Sequence, residues 1–265
     1  MSMNTSTTMI TLIVTVLAVV GTGTPALAGN GYGGGAIGGS GCGQVMMDTL
    51  ASLPIEELSD AEVSSLLTMR QEEKLARDVY LTLQLQWGAR IFANIARAEQ
   101  QHMDLVKFLL DRYGIEDPAA DDTIGVYSSE TFNELYHQLV EAGSASWDAA
   151  LTVGATIEDL DIFDLEEALT DAVDNEDIRM VYQNLRKGSR NHMRAFYGQL
   201  EMLGIGYTAQ YIGQEELLEI VNSERERGTV LDGDGEIIAT CGGGGGRQRG
   251  GLGRAAAGTW RNPTL

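Results

Sequence analysis

Lysine is nearly missing from this 265-residue chain: three of its 18 basic residues are lysine, set against 38 Asp and Glu. The formal charge of −20 at pH 7 argues against a nucleic-acid partner, because any affinity would have to overcome phosphate repulsion. Cysteine is scarce as well. Cys42 and Cys241 are the only two, too few for a thiolate-bound metal, and there is no Cys-x-x-Cys pair. The longest apolar run, Met9 to Val20, has twelve residues, short of a comfortable membrane span. A mean hydropathy of −0.09 excludes a multi-span membrane protein. Sustained period-two alternation of β-branched residues is also lacking, so a sheet domain is not expected.

Glycine is plentiful but unevenly placed. Of 33 glycines, 22 lie outside residues 51–230, and so many glycines in short stretches cannot bury enough apolar surface to offset the entropy of ordering them. The expected organisation is therefore a signal peptide over 1–28, a Gly-rich linker over 29–55, a folded domain over 56–222 and a Gly-rich tail over 223–265. The apolar run is followed by Ala26 and Ala28, the small-x-small pattern of signal cleavage, which places the mature start at Gly29. The amino-terminal segment has no Lys or Arg before the run, and an uncleaved anchor is the alternative. With cleavage, the protein is secreted, periplasmic or held at the cell surface. In an oxidising compartment Cys42 and Cys241 can join the two ends of one chain or bridge two subunits of a homodimer, the alternative being two unpaired surface thiols. Asp232, Asp234 and Glu236 mimic the opening of a calcium loop. The sixth position is Ile237 where glycine is needed and the twelfth is Gly243 where glutamate is needed, which removes that reading.

The middle of the chain reads as all-α. Ser59 with Glu62 three residues on has capping-box spacing, and Leu66, Met69, Glu73, Ala76, Tyr80 and Leu83 then recur at three and four residues on one face of a helix ending near Gly88. A second helix spans about Ile91 to Tyr113, with Gly114 as its C-cap. A shorter one starts at Ser128 or Ser129 and stops at Gly143. A third long helix is expected over 147–173, interrupted near Gly154, and a fourth over 175–203. A short amphipathic helix over 207–221 follows. Four long helices with buried apolar stripes make a bundle, and the short helix at 129–143 fits a crossover between the second and third.

Acidic and imidazole groups sit on these stripes. Glu99 and His102 are one turn apart and share a face, so both can reach one divalent ion. Glu73 lies on the apolar stripe of its helix, where a carboxylate is costly unless paired or metal-bound; its neighbour Glu72 falls about 100° round the helix and can face water. Glu158 and Asp161 are again one turn apart among Ile157, Leu160, Ile162 and Leu165. His192 is near the middle of the fourth helix, whereas His137, in the short insert, reads as a surface or packing residue.

Taken together, EEKLARDVY at 72–80, FANIARAEQQHM at 92–103, GATIEDLDIFDL at 154–165 and GSRNHMRAFY at 188–197 resemble the ferritin-like superfamily and, more narrowly, the DUF2202 domain family, over roughly residues 56–222. The first stretch also matches the Glu-x-x-Ala-Arg-x-x-Tyr pattern of the rubrerythrin first helix through Glu73, Ala76, Arg77 and Tyr80. The resemblance implies a ferritin-like four-helix bundle. It makes Glu73 the terminal carboxylate of the first helix, Glu99 the bridging carboxylate, His102 an imidazole ligand, Glu158 the third-helix ligand with Asp161 as the candidate second, and His192 the fourth-helix histidine. Ser189 departs from the pattern, which wants glutamate three residues before that histidine. Either Asp161 replaces the missing bridge, or a second ion binds weakly, or metal chemistry has been lost.

The function expected from this resemblance is an exported metal-binding protein of diiron-oxidase or peroxidase type. Iron, with manganese as the other candidate, would be held by Glu73, Glu99, His102 and Glu158, with His192 and Asp161 completing a second position. Dioxygen or peroxide is the expected oxidant, and Tyr80 the group placed to supply or stabilise a radical. The competing expectation is a non-enzymatic structural or interaction module whose inner carboxylates are neutralised by Arg77, Arg97 or Arg194.

Overall fold

The computed structural model describes residues 41–241, and the expected signal peptide lies outside them. The described chain is predominantly helical, with one small hairpin. Its elements are α1 (Cys42–Ser52), α2 (Asp60–Trp87), α3 (Arg90–Tyr113), α4 (Glu130–Ser144), α5 (Trp147–Glu167), α6 (Glu176–Met202), α7 (Gln214–Asn222), β1 (Thr229–Leu231) and β2 (Ile237–Thr240). No helix among the described residues is long and apolar enough to cross a membrane.

Local chemistry sets the ends of the long helices. Ser59 and Glu62 form the full capping box at the start of α2: the Ser59 hydroxyl accepts from the Glu62 N–H, and the Glu62 carboxylate accepts from the Ser59 N–H. Gly88 and Gly114 close α2 and α3 in the left-handed conformation, which glycine adopts without a Cβ penalty. Each of the four long helices packs on two others: α2 on α3 and α5, and α6 on α3 and α5. Their buried stripes enclose two adjoining apolar clusters, one around Tyr80, Phe92, Phe196 and Leu151, the other around Leu66, Leu109, Tyr182 and Leu165.

Three details differ from the sequence expectation. α5 runs through Gly154 without a break, because the missing Cβ there admits the Phe196 ring, whose Cε1 would lie 2.4 Å from an added methyl. The helix then loosens into a π-helical turn at Ala168–Ala172. Residues 207–213 are a loop, not the start of α7. Buried Asp159 organises it by accepting bonds from the Tyr207 hydroxyl and from the Gln210 and Ile212 amides.

The largest correction concerns the Gly-rich arms, whose inner parts are packed secondary structure. α1 buries Cys42, Met46 and Leu50 at four-residue spacing, and β1 pairs antiparallel with β2. Cys42 and Cys241 are joined within the chain by a disulfide. The hairpin docks on α6: Asn184 donates to the Leu231 carbonyl and accepts from its amide, and Lys187 donates to the Thr229 carbonyl. Asp232, in the hairpin turn, accepts from the amides of Asp234 and Glu236, so it organises the turn.

Candidate metal centre

Glu73 from α2, Glu99 and His102 from α3, Glu158 from α5 and His192 from α6 converge in the interior, each at most 2% exposed. The one-turn spacing of Glu99 and His102 on α3 projects both inward, with His102 Nδ1 2.8 Å from Glu99 Oε2 and 3.2 Å from Glu73 Oε2. On the other side His192 Nδ1 is 2.8 Å from Glu99 Oε1 and 3.4 Å from Glu158 Oε2. Glu99 therefore turns one oxygen to each imidazole. The five residues form two trios that share it, Glu73–Glu99–His102 and Glu99–Glu158–His192, and the ligand atoms of each trio lie within 4.8 Å of one another. The histidine rings stack 5.6 Å apart. This partition differs from the expected one, since Glu158 stands with His192 and not with the first ion's ligands.

Glu73 Oε1, His102 Nε2 and His192 Nε2 are buried without a hydrogen-bond partner, and the close approach of His192 Nδ1 to Glu99 Oε1 falls outside hydrogen-bond geometry. Buried polar atoms are normally paired, and a cluster of such exceptions among carboxylates and imidazoles marks a candidate cation site. No arginine relieves it. Arg77 pairs with Asp78 and Asp122, Arg194 with Glu226, and Arg97 is exposed.

The electrostatics follow from burial and crowding. Burial pushes the Glu73 carboxyl up to about 7, with Glu99 adding to the rise and His102 opposing it. Burial alone would also raise Glu99, but His192 and His102 outweigh it and hold that carboxyl below its usual range. Burial disfavours the charged His192 ring, yet Glu99 and Glu158 more than compensate and take it up to about 10. His102 rises likewise through Glu73 and Glu99, against burial. In the metal-free protein, protons on the imidazoles thus do the neutralising that cations can take over.

Around this core the other predicted residues have distinct places. Tyr80 is fully buried, and its hydroxyl donates to Glu158 Oε1 at 2.6 Å. Asp161 belongs to neither trio; it accepts the Ser189 hydroxyl, so the serine standing in for the expected glutamate holds the nearby aspartate. Glu72 does not simply face water. It is half-buried beside Asp164, and burial together with Asp164 and Asp161 drives its carboxyl well up. His137 is exposed, as expected. Gly188 was not foreseen as part of the site: an added Cβ would come 2.4 Å from His102 Nε2, so only glycine leaves room for that ring. The signal available was the small pair Gly188–Ser189 one turn before an inward histidine.

Residues 62–224 match the family described as an uncharacterized protein domain, DUF2202. The chain belongs to the DUF2202 family. Within it, the chain is 56% identical over 183 residues to the uncharacterized protein MJ0754 of Methanocaldococcus jannaschii, a match that takes in 69% of this chain and 98% of that one. A crystal structure of hypothetical protein MJ0754 from Methanococcus jannaschii aligns with 66% of this chain and 99% of its own at a TM-score of 0.65 and 57% identity. All five trio residues of the DUF2202 chain lie inside the matched segment.

Proposed function

We propose that this DUF2202 protein is a ferritin-like, two-ion metal protein that uses iron, or manganese in its place, for oxidase or peroxidase chemistry. The observation that carries the reading is the pair of buried trios sharing Glu99, with ligand atoms left unpaired and with Arg77 and Arg194 paired elsewhere. Each trio offers one imidazole and two carboxylates, a donor set suited to iron and manganese. The ring of α2, α3, α6 and α5 around the trios supports a ferritin-like bundle, in which such sites are built from inward side chains of facing helices.

Bound iron would supply one-electron chemistry toward dioxygen or peroxide. The chain's own residues set the conditions. Glu99 presents an oxygen to each imidazole and would serve both ions, while Glu73 and Glu158 would each hold one. The surrounding apolar side chains keep out bulk water. Tyr80 keeps its phenolic proton and donates it to Glu158 in one short hydrogen bond, the arrangement from which a phenol can lose an electron and a proton together. The intrachain disulfide supports the secreted or periplasmic assignment, since such bonds persist in oxidising compartments.

Elemental analysis of protein purified without chelators, followed by anaerobic Fe²⁺ calorimetry, tests the reading. Up to two ions per chain are expected, and Glu99→Ala should lose both. Metal-free protein that takes up neither iron nor manganese would overturn it.

A further inference from the structure

A row of aromatic rings leads from the trios to the surface. Tyr80, bonded to Glu158, has its ring centroid 6.1 Å from that of Phe92; Phe92 is 5.9 Å from Trp147, edge to face; and Trp147 is 6.1 Å from Trp87. Tyr80 and Phe92 are fully buried, whereas Trp147 and Trp87 are half-buried at the molecular edge. The row follows from sequence positions on three helices, with Phe92 near the start of α3 between the other two. Trp87 lies two turns beyond Tyr80 at the end of α2, and Trp147 opens α5 three turns before Glu158. Trp87 is held in place by its indole N–H, which donates to the Gly143 carbonyl at 3.0 Å.

Ordinary core packing accounts for contacts among these rings. It does not account for the way easily oxidised side chains occupy both ends, a tyrosine on a trio carboxylate and two indoles at the surface. Phe196 flanks the row, 5.4 Å from Tyr80 and 5.7 Å from Phe92, while a separate ring cluster, Tyr127 with Phe132 and Tyr136, is tied to Asp78 and not to the trios. Among the described residues, Tyr80 is the tyrosine that hydrogen-bonds a trio carboxylate.

We propose that Tyr80, Phe92, Trp147 and Trp87 form an electron path between the buried centre and the surface, through which a one-electron donor outside resupplies the centre. The proposal rests on the metal-centre reading for its purpose, though not for its test. Its step balances as follows. When Tyr80 gives one electron inward, its phenolic proton passes to Glu158 and a neutral tyrosyl radical remains. Trp147 reduces that radical across the Phe92 ring, which is not itself oxidised, and Glu158 returns the proton to the phenolic oxygen. The indole radical formed at Trp147, shared with Trp87, loses its N–H proton to solvent. A one-electron reductant then refills it as solvent gives the proton back. The terminal oxidant is dioxygen or hydrogen peroxide, and one electron enters at the surface for each one withdrawn inside.

Pulse radiolysis of the metal-free full-length chain tests the path without involving the centre. Trp260 is first replaced by Phe so that Trp87 and Trp147 are the only indoles left. Azide radical then takes one electron from an indole, leaving azide ion. The expected result is first-order decay of the tryptophanyl absorption matched by a rise of tyrosyl absorption, at a rate independent of protein concentration. Tyr80→Phe should abolish that rise. Phe92→Leu and Trp147→Phe should each slow it by about tenfold or more, and Phe92→Trp, which keeps a ring in place, should leave it as fast or faster. Cooperative unfolding of each variant serves as the check on folding. A tyrosyl signal unchanged in Tyr80→Phe, or a rate indifferent to Phe92 and Trp147 in folded variants, would overturn the proposal. Elemental analysis of the same preparations decides the metal-centre reading separately.

Discussion

Beyond the capping Glu62, helix α2 carries two fully buried acidic residues five positions apart, and they are treated in opposite ways. Asp78 is saturated: Lys74 Nζ at 2.5 Å, Arg77 Nε at 2.9 Å and Nη2 at 2.7 Å, the Gly125 amide at 3.0 Å and the Tyr127 hydroxyl at 3.0 Å all donate to it. Glu73 meets a single imidazole nitrogen at 3.2 Å, and its other oxygen has no partner. Both carboxylates cost desolvation. Asp78 offsets that cost inside the chain and ties the connection between α3 and α4 to α2. Glu73 leaves it open, in company with Glu99, Glu158 and two histidines. Burial of charge alone therefore does not single out a candidate site here; burial with carboxylate and imidazole atoms left unpaired does.

The comparison breaks most sharply at its two centres. Glu99→Ala should remove tight metal binding altogether, as counted per chain by elemental analysis, because both trios use that carboxylate. It should nonetheless leave a folded metal-free protein, since the two imidazoles it abandons can shed their protons. Asp78→Ala leaves fully buried Lys74 with the Thr123 carbonyl as its sole hydrogen-bond acceptor and almost fully buried Arg77 with Asp122 and Gln100, and a guanidinium cannot discharge itself. A loss of about 3–5 kcal/mol in urea unfolding is expected. Equal stability losses in the two variants would erase the distinction between a closed and an open cluster.

A smaller effect separates the arms from the helices. Replacing Cys42 and Cys241 by Ser opens a link across 199 residues of chain, which should cost about 2–4 kcal/mol. The first hydrogen-exchange protection to disappear should be that of α1 and the β1–β2 hairpin. If α2 and α3 lost protection first, the arms would be integral to the core and not docked on it.

Acid and base sharpen the contrast further. Glu73, raised from 4.5 to about 7 chiefly by burial, Asp164, raised from 3.8 to about 8 by burial and then Asp161, and His192, raised from 6.5 to about 10 by Glu99 and Glu158 against burial, all bind protons more tightly folded than unfolded. Each contributes stability that is complete below its unfolded value and lost as pH climbs through its folded one. With chelator present, the urea midpoint should therefore fall between about pH 5 and 10. With Mn²⁺ in excess the slope should flatten or reverse, because cations displace the same protons. A chelated midpoint that rises across this range would contradict the assignment.

Much of this arrangement was legible before any coordinates. The capping box at Ser59, the stops at Gly88 and Gly114 and the inward stripe bearing Glu73 and Tyr80 are local properties of α2 and α3, and they appear where spacing places them. The convergence of Glu73, Glu99, His102, Glu158 and His192 was foreshadowed by one-turn spacings and by resemblance. What was not legible depends on distant partners. The stripe Cys42–Met46–Leu50 is only three apolar positions next to a dense glycine run, and its value becomes apparent only when Val230 and Leu109 are found in the same cluster. Glu72 looked solvent-facing because helix periodicity knows nothing of Asp164 on α5. Gly154 looked like a break because its use, admitting Phe196, belongs to another helix.

The smallest expected effect concerns Ser189 and tests how far the open cluster reaches. Its hydroxyl is fully buried and donates to Asp161, the one predicted ligand left outside both trios. The aspartate is nevertheless close enough for Glu73 and Glu158 to push its carboxyl up, after burial. Ser189→Ala removes a single neutral-to-carboxylate hydrogen bond, so the metal-free protein should lose only about 1–2 kcal/mol. Freed from its donor, Asp161 can turn toward the trios and add a carboxylate to the more weakly held ion. That ion should then bind more tightly, by up to about tenfold, or 1.4 kcal/mol, in anaerobic Fe²⁺ calorimetry. Asp161→Asn in the same background should cancel the gain, because the amide has one oxygen and no charge. A gain that survives Asp161→Asn would show that the serine acts on the trios by some route other than the aspartate it holds.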